Sequence, residues 1–236
     1  MNVLTIDIGG TNVKVLATGQ TEARKFPSGS TLTPEAMVSG VKDLAADWTY
    51  DAVSIGYPGV ITKDRIVNEP HNLGHGWREF NFENAFGRPV KLINDAAMQA
   101  LGSYEGGLLL FMGLGTGLGS ALVVNGAVVP MELAHMSYKT ATFEDYIGLR
   151  GLERLGTKKW RKHVNFVTSR FINAFLPNDV VLGGGNAKKL KELPPGCRLG
   201  SNAYAFIGGY RLWQPTADLI TSRDNSFQEI GRITLT

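Results

Sequence analysis

Residues 111–126 read FMGLGTGLGSALVVNG, with glycines at every second position, at 113, 115, 117 and 119. A packed strand tolerates such a run poorly, because each glycine costs backbone entropy and brings no side chain to the core. The apolar segments on either side, LLLFM and ALVV, are typical of strands. We therefore predict a strand, a glycine-rich turn and a second strand, with a function that requires bare backbone at the turn.

The same strand–turn–strand pattern opens the chain, as VLTIDIGGTNVKVLAT at residues 3–18. Superposing the turn 9–11 on the turn 115–117 aligns residues 4–8 with 110–114 and residues 13–17 with 119–123. This weak internal repeat predicts two related halves. A third glycine turn, LGGGN at 182–186, also follows an apolar strand.

Consecutive backbone N–H groups in a tight glycine turn form a concavity that holds phosphate oxygens, although a single turn of this kind is also typical of an ordinary hairpin. The P-loop pattern G-x-x-x-x-G-K-[ST] does not occur, and the dinucleotide pattern G-x-G-x-x-G fails from Gly113 and from Gly115. Both principal turns lead into strands. Asp7, at the end of the first strand, is placed to hold a phosphate-bound Mg²⁺, directly or through water.

Composition favours an ordinary globular protein. The chain has 236 residues, 43% of them hydrophobic and 19% charged, with a net charge of +3. We expect no membrane segment and no nucleic-acid partner, because neither a long apolar run nor a block of basic residues occurs. The single cysteine, Cys197, excludes an internal disulfide and a cysteine-rich zinc site. The expected location is the cytoplasm.

Periodicity predicts two α/β halves, residues 1–100 and 101–236. Helices are predicted after Thr33, with Pro34 as the first helical residue, from residue 95 to a glycine at 106, over 153–175, and at 202–213. We expect the helix at 202–213 to pack back on the first half. The tail from residue 214 onward has no clear period.

Several polar residues are candidates for chemistry. Asp95 follows a predicted strand and opens a helix, so it is either a general base in a cleft or, like Asn94, a helix cap. Glu132 and His135 share one face of a helical turn, as a site or as a surface pair. Lys14 faces either solvent or a transferred phosphate.

The motifs DIGGTNVK, GYPG, NLGHGW, INDAA, GLGTGLGSALVVNG, ELAH, EDYIG and VVLGGGNAKKL occur in the order found in the ROK family of sugar kinases, and within it the sequence most resembles the polyphosphate glucokinases. The resemblance covers roughly residues 2–210. It implies an α/β, actin-like or hexokinase-like (ribonuclease H-like) two-domain fold, with a duplicated mixed β-sheet and a cleft between the domains. The implied activity is phosphoryl transfer from polyphosphate, ATP or both to the 6-hydroxyl of glucose or a related hexose, with Mg²⁺.

The resemblance also assigns roles to residues. Asp95 is the base that accepts the hydroxyl proton. The sugar would be bound by Asn94, Asp95, Glu132, His135, Glu144 and Asn72. Asn72 would lie on a loop lining the pocket beside Trp77; alternatively, Asn72 and Trp77 are a turn residue and a core residue. Glu144 is preferred to its neighbour Asp145 from the motif alignment. The donor phosphates would be held by Asp7, Gly9, Gly10, Thr11, Lys14, Gly115, Thr116, Gly117, Gly184 and Gly185. We expect a homodimer.

The chain departs from many ROK members, which have a cysteine-rich zinc loop with the equivalent of His135 as a ligand. The cysteines are absent here, as in the polyphosphate glucokinases, so we expect no structural zinc. The basic cluster KKWRKH at 158–163 is either a solvated helix face or a binding surface for a long polyanion, with Lys158, Lys159 and Arg161 as the test residues.

Two other functions are alternatives. A sugar-binding regulator would carry a helix-turn-helix segment ahead of the first strand, which here begins by residue 3, and we expect none. An actin-like ATPase would use the same phosphate turns, but it has no need of the hydroxyl-binding residues.

Overall fold

The strand that opens the chain, β1 (Val3–Ile8), is buried along its whole length inside a six-stranded mixed sheet. A computed structural model describes residues 1–62, 65–221 and 233–235. β1 pairs antiparallel with β2 and parallel with β4, which pairs parallel with β7. The elements of this half are β2 (Asn12–Ala17), β3 (Glu22–Pro27), α1 (Pro34–Leu44), β4 (Ala52–Tyr57), β5 (Ile61–Thr62), β6 (Arg65–Ile66), α2 (Phe82–Phe86), β7 (Val90–Asn94) and α3 (Asp95–Ser103).

A second sheet repeats this topology. Its first strand, β8 (Leu108–Leu114), pairs antiparallel with β9 and parallel with β13. The elements are β9 (Leu118–Val124), β10 (Ala127–Met131), β11 (Ser137–Tyr138), β12 (Ala141–Thr142), α4 (Phe143–Ile147), α5 (Leu149–Phe175), β13 (Asp179–Gly183), β14 (Cys197–Leu199), α6 (Tyr204–Arg211), α7 (Thr216–Thr221) and β15 (Thr234–Leu235). β15 joins the edge of the first sheet, parallel to β3.

Strand order confirms the predicted duplication. The first sheet runs β15-β3-β2-β1-β4-β7 and the second runs β10-β9-β8-β13-β14. Apart from β15, both sheets have the order third, second, first, fourth and fifth strand. The predicted alignment is off by one residue after the turn, because Ile8 pairs with Val13 across four loop residues, whereas Leu114 pairs with Leu118 across three.

Helices cover both faces of each sheet. α1 packs on the first sheet, and its start is the predicted one, since the side chain of Thr33 accepts a hydrogen bond from the backbone of Ala36. α5 packs on the second sheet through Trp160 and Val164 on its buried face. It starts earlier than predicted and is interrupted at Gly156, where φ is 72°.

The other two faces are covered by helices from the opposite half of the chain. α3 contacts β8 and β9 of the second sheet, whereas α6 contacts β1 and β4 of the first. The two helices then pack against each other between the sheets. α3 ends at Ser103, before the predicted glycine. The division of the chain at residue 100 stays a prediction, and most of the tail after α7 lies outside the described residues.

No helix in the described part of the chain combines the length and the apolar composition needed to cross a bilayer.

Candidate active site

The first glycine turn joins β1 to β2. The N–H of Gly9 donates to the carbonyl of Asn12 (3.0 Å), and the hydroxyl of Ser28 donates to the carbonyl of Gly9 (2.6 Å). A Cβ on Gly10 would meet no atom within 4 Å, and Gly10 and Thr11 are exposed or nearly so. The turn is therefore held from behind and leaves its outer backbone open to a ligand.

The second and third glycine turns lie against each other. Asn186 donates from its backbone to the carbonyl of Leu114 (2.9 Å) and from Nδ2 to the carbonyl of Gly115 (3.0 Å). Gly184 has a φ of +82°, and a Cβ there would lie 2.6 Å from the backbone of Leu114. Only glycine allows this approach. The structure thus brings Gly115, Thr116, Gly117, Gly184 and Gly185 to one edge of the second sheet.

Asp7 and Lys14 face each other across the first hairpin. They are cross-strand partners, and Nζ of Lys14 lies 3.6 Å from Oδ2 of Asp7. Burial raises the pKa of Asp7, and the charge of Lys14 opposes that rise. The ammonium group of Lys14 therefore contacts the buried carboxylate of Asp7, beside the first glycine turn, and does not extend freely into solvent.

The structure separates the roles of the Asn94–Asp95 pair. Asn94 is the N-cap of α3: its Oδ1 accepts from the backbone of Ala97 (3.0 Å), and its Nδ2 donates to the carbonyl of Gly59 (3.0 Å). The carboxylate of Asp95 accepts a hydrogen bond from the adjacent N–H of Ala96 (2.8 Å). The capping requirement is met by Asn94, so Asp95 is available for another role.

Asp95 has the electrostatic properties of a general base. Its pKa is raised from 3.8 to about 7, chiefly by burial and then by the negative charge of Asp7, with a smaller contribution from Glu132. The backbone N–H groups of Ala96 and of Asp95 itself oppose this shift. Asp7 belongs to the first sheet and Glu132 follows the second, so Asp95 lies where charges from both halves meet.

Glu132 and His135 lie on a short 3₁₀ turn, Leu133–His135, after β10. Nε2 of His135 is 3.7 Å from Oε2 of Glu132, and both side chains are about half exposed. Burial raises the pKa of Glu132, the charge of His135 opposes the shift, and the charge of Glu144 adds to it. Glu132 thus interacts electrostatically with Asp95 and with Glu144, which argues against an isolated surface pair.

Glu144 and Asp145, adjacent in α4, have different surroundings. A Cβ on Gly117 would lie 2.5 Å from Oε2 of Glu144, which places this carboxylate against the second glycine turn. Asp145 instead forms a capping box with Thr142, accepting from its backbone N–H (3.1 Å) and its hydroxyl (2.6 Å). These contacts lower the pKa of Asp145. The geometry supports the choice of Glu144 as the ligand-facing residue.

This difference yields a prediction. We expect Asp145→Ala to lower the free energy of unfolding by about 1 kcal/mol, because a capping-box contact is lost, and to leave the KM for the hexose that the sequence resemblance implies within about twofold. Glu144→Gln keeps the shape of the side chain, and we expect it to raise the hexose KM about tenfold or more through loss of a charged hydrogen-bond acceptor. Thermal unfolding and steady-state kinetics measure both, and the opposite pattern would transfer the role to Asp145.

Asn72 and Trp77 are not brought into the same site by the described contacts. Asn72 is exposed on the loop between β6 and α2, and no described hydrogen bond links it to the carboxylates. Trp77 is fully buried, with its ring 5.7 Å from that of Tyr57 and 6.3 Å from that of Phe82. Trp77 is a core residue of the first half.

The basic cluster at 158–163 does not form one surface. Trp160 is buried, and its Nε1 donates to the carbonyl of Ile147 (2.8 Å). Arg161 donates from Nε to the carbonyl of Lys189 (2.6 Å), on one side of α5. Lys159 and Lys162 lie on the other side, where they line a groove.

Sequence reasoning missed three residues of the site. Arg150 donates from Nη2 to Oε1 of Glu144 (2.9 Å), and Nη2 is 3.3 Å from Asp145. Ser28 supports the first glycine turn, and Asn186 joins the second to the third. Asn186 directly follows three glycines, and this turn signal could have identified it as a residue that holds the turns together. Arg150 and Ser28 have no such signal in the neighbouring sequence.

Comparisons with known proteins identify the family of the chain. The family model described as the ROK family matches residues 3–130, just over half of the chain. The polyphosphate glucokinase of Mycobacterium tuberculosis (strain CDC 1551 / Oshkosh) is 27% identical over 212 residues, which cover 80% of each chain.

Solved structures give the same result. The inorganic polyphosphate/ATP-glucomannokinase of Arthrobacter sp. strain KM is 25% identical with a TM-score of 0.74, covering 94% of this chain and 99% of that one. A ROK family glucokinase of Streptomyces griseus, solved with glucose and AMPPNP, has a TM-score of 0.71 at 16% identity, covering 93% and 99%. The predicted actin-like, hexokinase-like fold is confirmed.

Proposed function

The chain belongs to the ROK family, and we propose that it is a kinase that transfers a phosphoryl group to the 6-hydroxyl of glucose or a related hexose. One observation carries the proposal. Asp95, relieved of helix capping by Asn94, has a pKa raised to about 7 and lies where Asp7 and Glu132 act on it from the two halves of the molecule. A carboxyl group whose pKa lies near neutrality is suited to general-base catalysis.

In the proposed reaction, the oxygen of the sugar hydroxyl attacks the terminal phosphorus of the donor, its proton passes to Asp95, and the bond from that phosphorus to the bridging oxygen breaks. Phosphoryl transfer depends mainly on positioning and on stabilisation of charge. Asn94 holds the start of α3 and the loop at Gly59 in place. It therefore fixes the position of Asp95 as well as offering its remaining amide hydrogen to the sugar.

We assign sugar binding to Glu132, His135 and Glu144, together with Asn72 as predicted from sequence. Carboxylate groups accept hydrogen bonds from sugar hydroxyls, and an imidazole group accepts a hydrogen bond from a hydroxyl or donates one to it. Arg150 contacts Glu144, and it therefore fixes the orientation of the carboxylate. The mutual effects of Glu132 on the pKa of Asp95 and of Glu144 on that of Glu132 support a single site for the acceptor hydroxyl and the base.

The donor phosphates are proposed to lie on the open backbone of the three glycine turns, with Gly9, Gly10 and Thr11 on one side and the turns at 115–117 and 184–185 on the other. Lys14 supplies a positive charge beside the first turn.

Mg²⁺ fits this site. No group of three or more His, Cys, Asp or Glu side chains arranged for a metal occurs in the described residues, and magnesium needs none, because it is commonly bound by one or two carboxylates, water and substrate phosphates. Asp7, buried at the end of β1 with one oxygen facing Lys14, is the carboxylate that would hold it. Mg²⁺ would neutralise charge on the donor phosphates.

Polyphosphate and ATP are both proposed as donors. The names of the Mycobacterium and Arthrobacter relatives support polyphosphate, and the second also supports ATP. The decisive experiment is a coupled assay of glucose and mannose against ATP and polyphosphate, with Mg²⁺ present and then chelated. We expect turnover with glucose and at least one donor, lost on chelation. Absence of turnover with every pair, together with retained glucose binding, would favour a sugar-binding regulator.

A further inference from the structure

A groove of about 600 Å³ lies along α5, on the side of the helix opposite the contact between Arg161 and Lys189. Its walls carry four cations and no carboxylate: Lys159, Lys162 and Arg170 come from α5, and Lys139 comes from the loop after β11. From residue 159 to 170 the helix extends about 16 Å. The groove is therefore an elongated basic surface of a size that accommodates a ligand.

These four cations have no acidic partner. Among the described residues, none of them is within 4 Å of a carboxylate, whereas Arg24 pairs with Asp47 and Arg198 with Asp179 and Glu105. Exposed lysines and arginines that are held on one face without counter-charges produce a positive field. That field is available to an anionic ligand.

Aromatic rings give the groove a rigid floor. Tyr138 stacks on Phe143 at 5.1 Å, and its hydroxyl is 2.9 Å from Nδ1 of His163. The guanidinium group of Arg170 lies 4.9 Å from the centre of the Phe166 ring, which holds it along the wall. Arg170 is thus positioned by an aromatic ring of the groove.

The groove is joined to the candidate active site by α4. Tyr138 contacts Phe143 and Tyr146 of this helix, and Glu144 of the same helix lies against Gly117 of the second glycine turn. A linear polyanion whose end lies at the glycine turns has a basic surface available on the far side of α4.

We propose that the groove formed by Lys139, Lys159, Lys162 and Arg170 binds the distal phosphates of a linear polyphosphate chain. The inference rests on the proposed kinase function and adds a second site for one of its donors. A second copy of this chain is a poorer occupant, because it would bring like charges together. ATP, with three phosphates and an adenosine, does not need this surface.

The test compares two variants with the same loss of charge on the same helix. Lys159→Gln/Lys162→Gln removes two groove cations, and Lys158→Gln/Arg161→Gln removes two cations outside it. Glutamine keeps the helix preference of the replaced residues. We expect the groove variant to raise the KM for long-chain polyphosphate about tenfold, with kcat unchanged and the KM values for ATP and tripolyphosphate within about twofold. The control variant should match the wild type with all three donors.

Salt dependence gives a second readout. The slope of log affinity for long-chain polyphosphate against log salt concentration should become flatter by roughly one to two units in the groove variant, as expected for two lost phosphate contacts. An unchanged KM and slope would overturn the proposal, as would an equal effect in the control variant or an equal effect on ATP.

Direct titration with long-chain polyphosphate, without sugar, separates this proposal from the kinase proposal. Loss of affinity in the groove variant supports the groove even if no donor gives turnover. Turnover with ATP, together with no binding of long-chain polyphosphate, would support the proposed kinase function and overturn the proposed role of the groove. Tighter binding of single-stranded DNA than of polyphosphate, or a change in oligomeric state in the groove variant alone by light scattering, would assign the groove to another occupant.

Discussion

Asp95→Asn is expected to lower kcat for hexose phosphorylation by about 10²–10⁴-fold, while the affinity for glucose changes little. Asparagine is nearly isosteric and keeps an acceptor for the N–H of Ala96, but it cannot take a proton from the hydroxyl. Steady-state kinetics gives kcat, and calorimetry gives glucose affinity. The matched control is Asp43→Asn, the same change at an exposed position of α1. A kcat near the wild-type value would remove Asp95 from the role of base.

The pKa of Asp95 adds a pH signature. Because the base must be ionised and its pKa is about 7, we expect kcat/KM to fall about tenfold per pH unit below 7 and to level above it. Measurement of kcat/KM between pH 5 and 8.5 tests this. A profile that is flat down to pH 5 would contradict a base with this pKa.

The contribution of Asp95 to folding stability should fall as pH rises, whereas its contribution to activity increases. The pKa of Asp95 is higher in the folded protein than in the unfolded chain, so its favourable contribution is present below the unfolded pKa near 3.9 and is lost as pH rises through about 7. Asp95→Asn should therefore raise the melting temperature more at pH 8 than at pH 5. The buried charge lowers stability at the pH where it is needed for activity.

Gly102→Ala is expected to destabilise the protein by about 3 kcal/mol or more, equivalent to roughly 6–12 °C in melting temperature. A Cβ at Gly102 in α3 would lie 1.8 Å from the carbonyl oxygen of Tyr204 in α6. Helix preference alone favours alanine over glycine by about 1 kcal/mol. The steric overlap with Tyr204 acts in the opposite direction, and we expect its cost to exceed this gain. In the reciprocal change, Gly208→Ala, the new Cβ would lie 1.8 Å from the carbonyl oxygen of Met98, and we expect a similar loss of stability.

Gly40→Ala in α1 is the matched control. The atoms nearest to its Cβ would all belong to the ring of Phe26, the first at 2.9 Å, and this partly exposed side chain can move. We expect a change in melting temperature within a few degrees, because the gain in helix preference offsets the contact. If Gly102→Ala were as mild as Gly40→Ala, the close packing of α3 on α6 would be wrong. Because α3 carries Asp95, Gly102→Ala should also reduce kcat.

Local patterns in the sequence predicted the strand–turn–strand units, the start of α1 at Thr33 and the resemblance that the comparisons confirm. These features depend on neighbours within a few residues, where apolar alternation, capping and glycine turns act directly. The short strand β14 was not predicted, because three residues contain too little pattern. The predicted alignment of the two repeats was one residue off after the turn, because the two turns differ in length.

The candidate site was also predictable only in part from the sequence. From sequence, Asn94 and Asp95 were equivalent as caps, and Glu144 differed from Asp145 only through a motif alignment. The contacts in the fold distinguish the members of each pair: Asn94 is the N-cap of α3, and Asp145 forms a capping box with Thr142, the N-cap of α4. Which side chain of a pair is engaged by the backbone depends on rotamers that the packing selects.

Two related α/β halves with glycine turns at matching positions are therefore determined by the sequence itself, since short-range forces specify each unit. The tertiary structure alone decided that α3 and α6 exchange halves and meet at Gly102 and Gly208, that Lys14 faces Asp7, and that the cluster at 158–163 divides between two sides of α5. These arrangements join residues far apart in the chain. Their free energy comes from burial and close contact, which exist only after both sheets have formed.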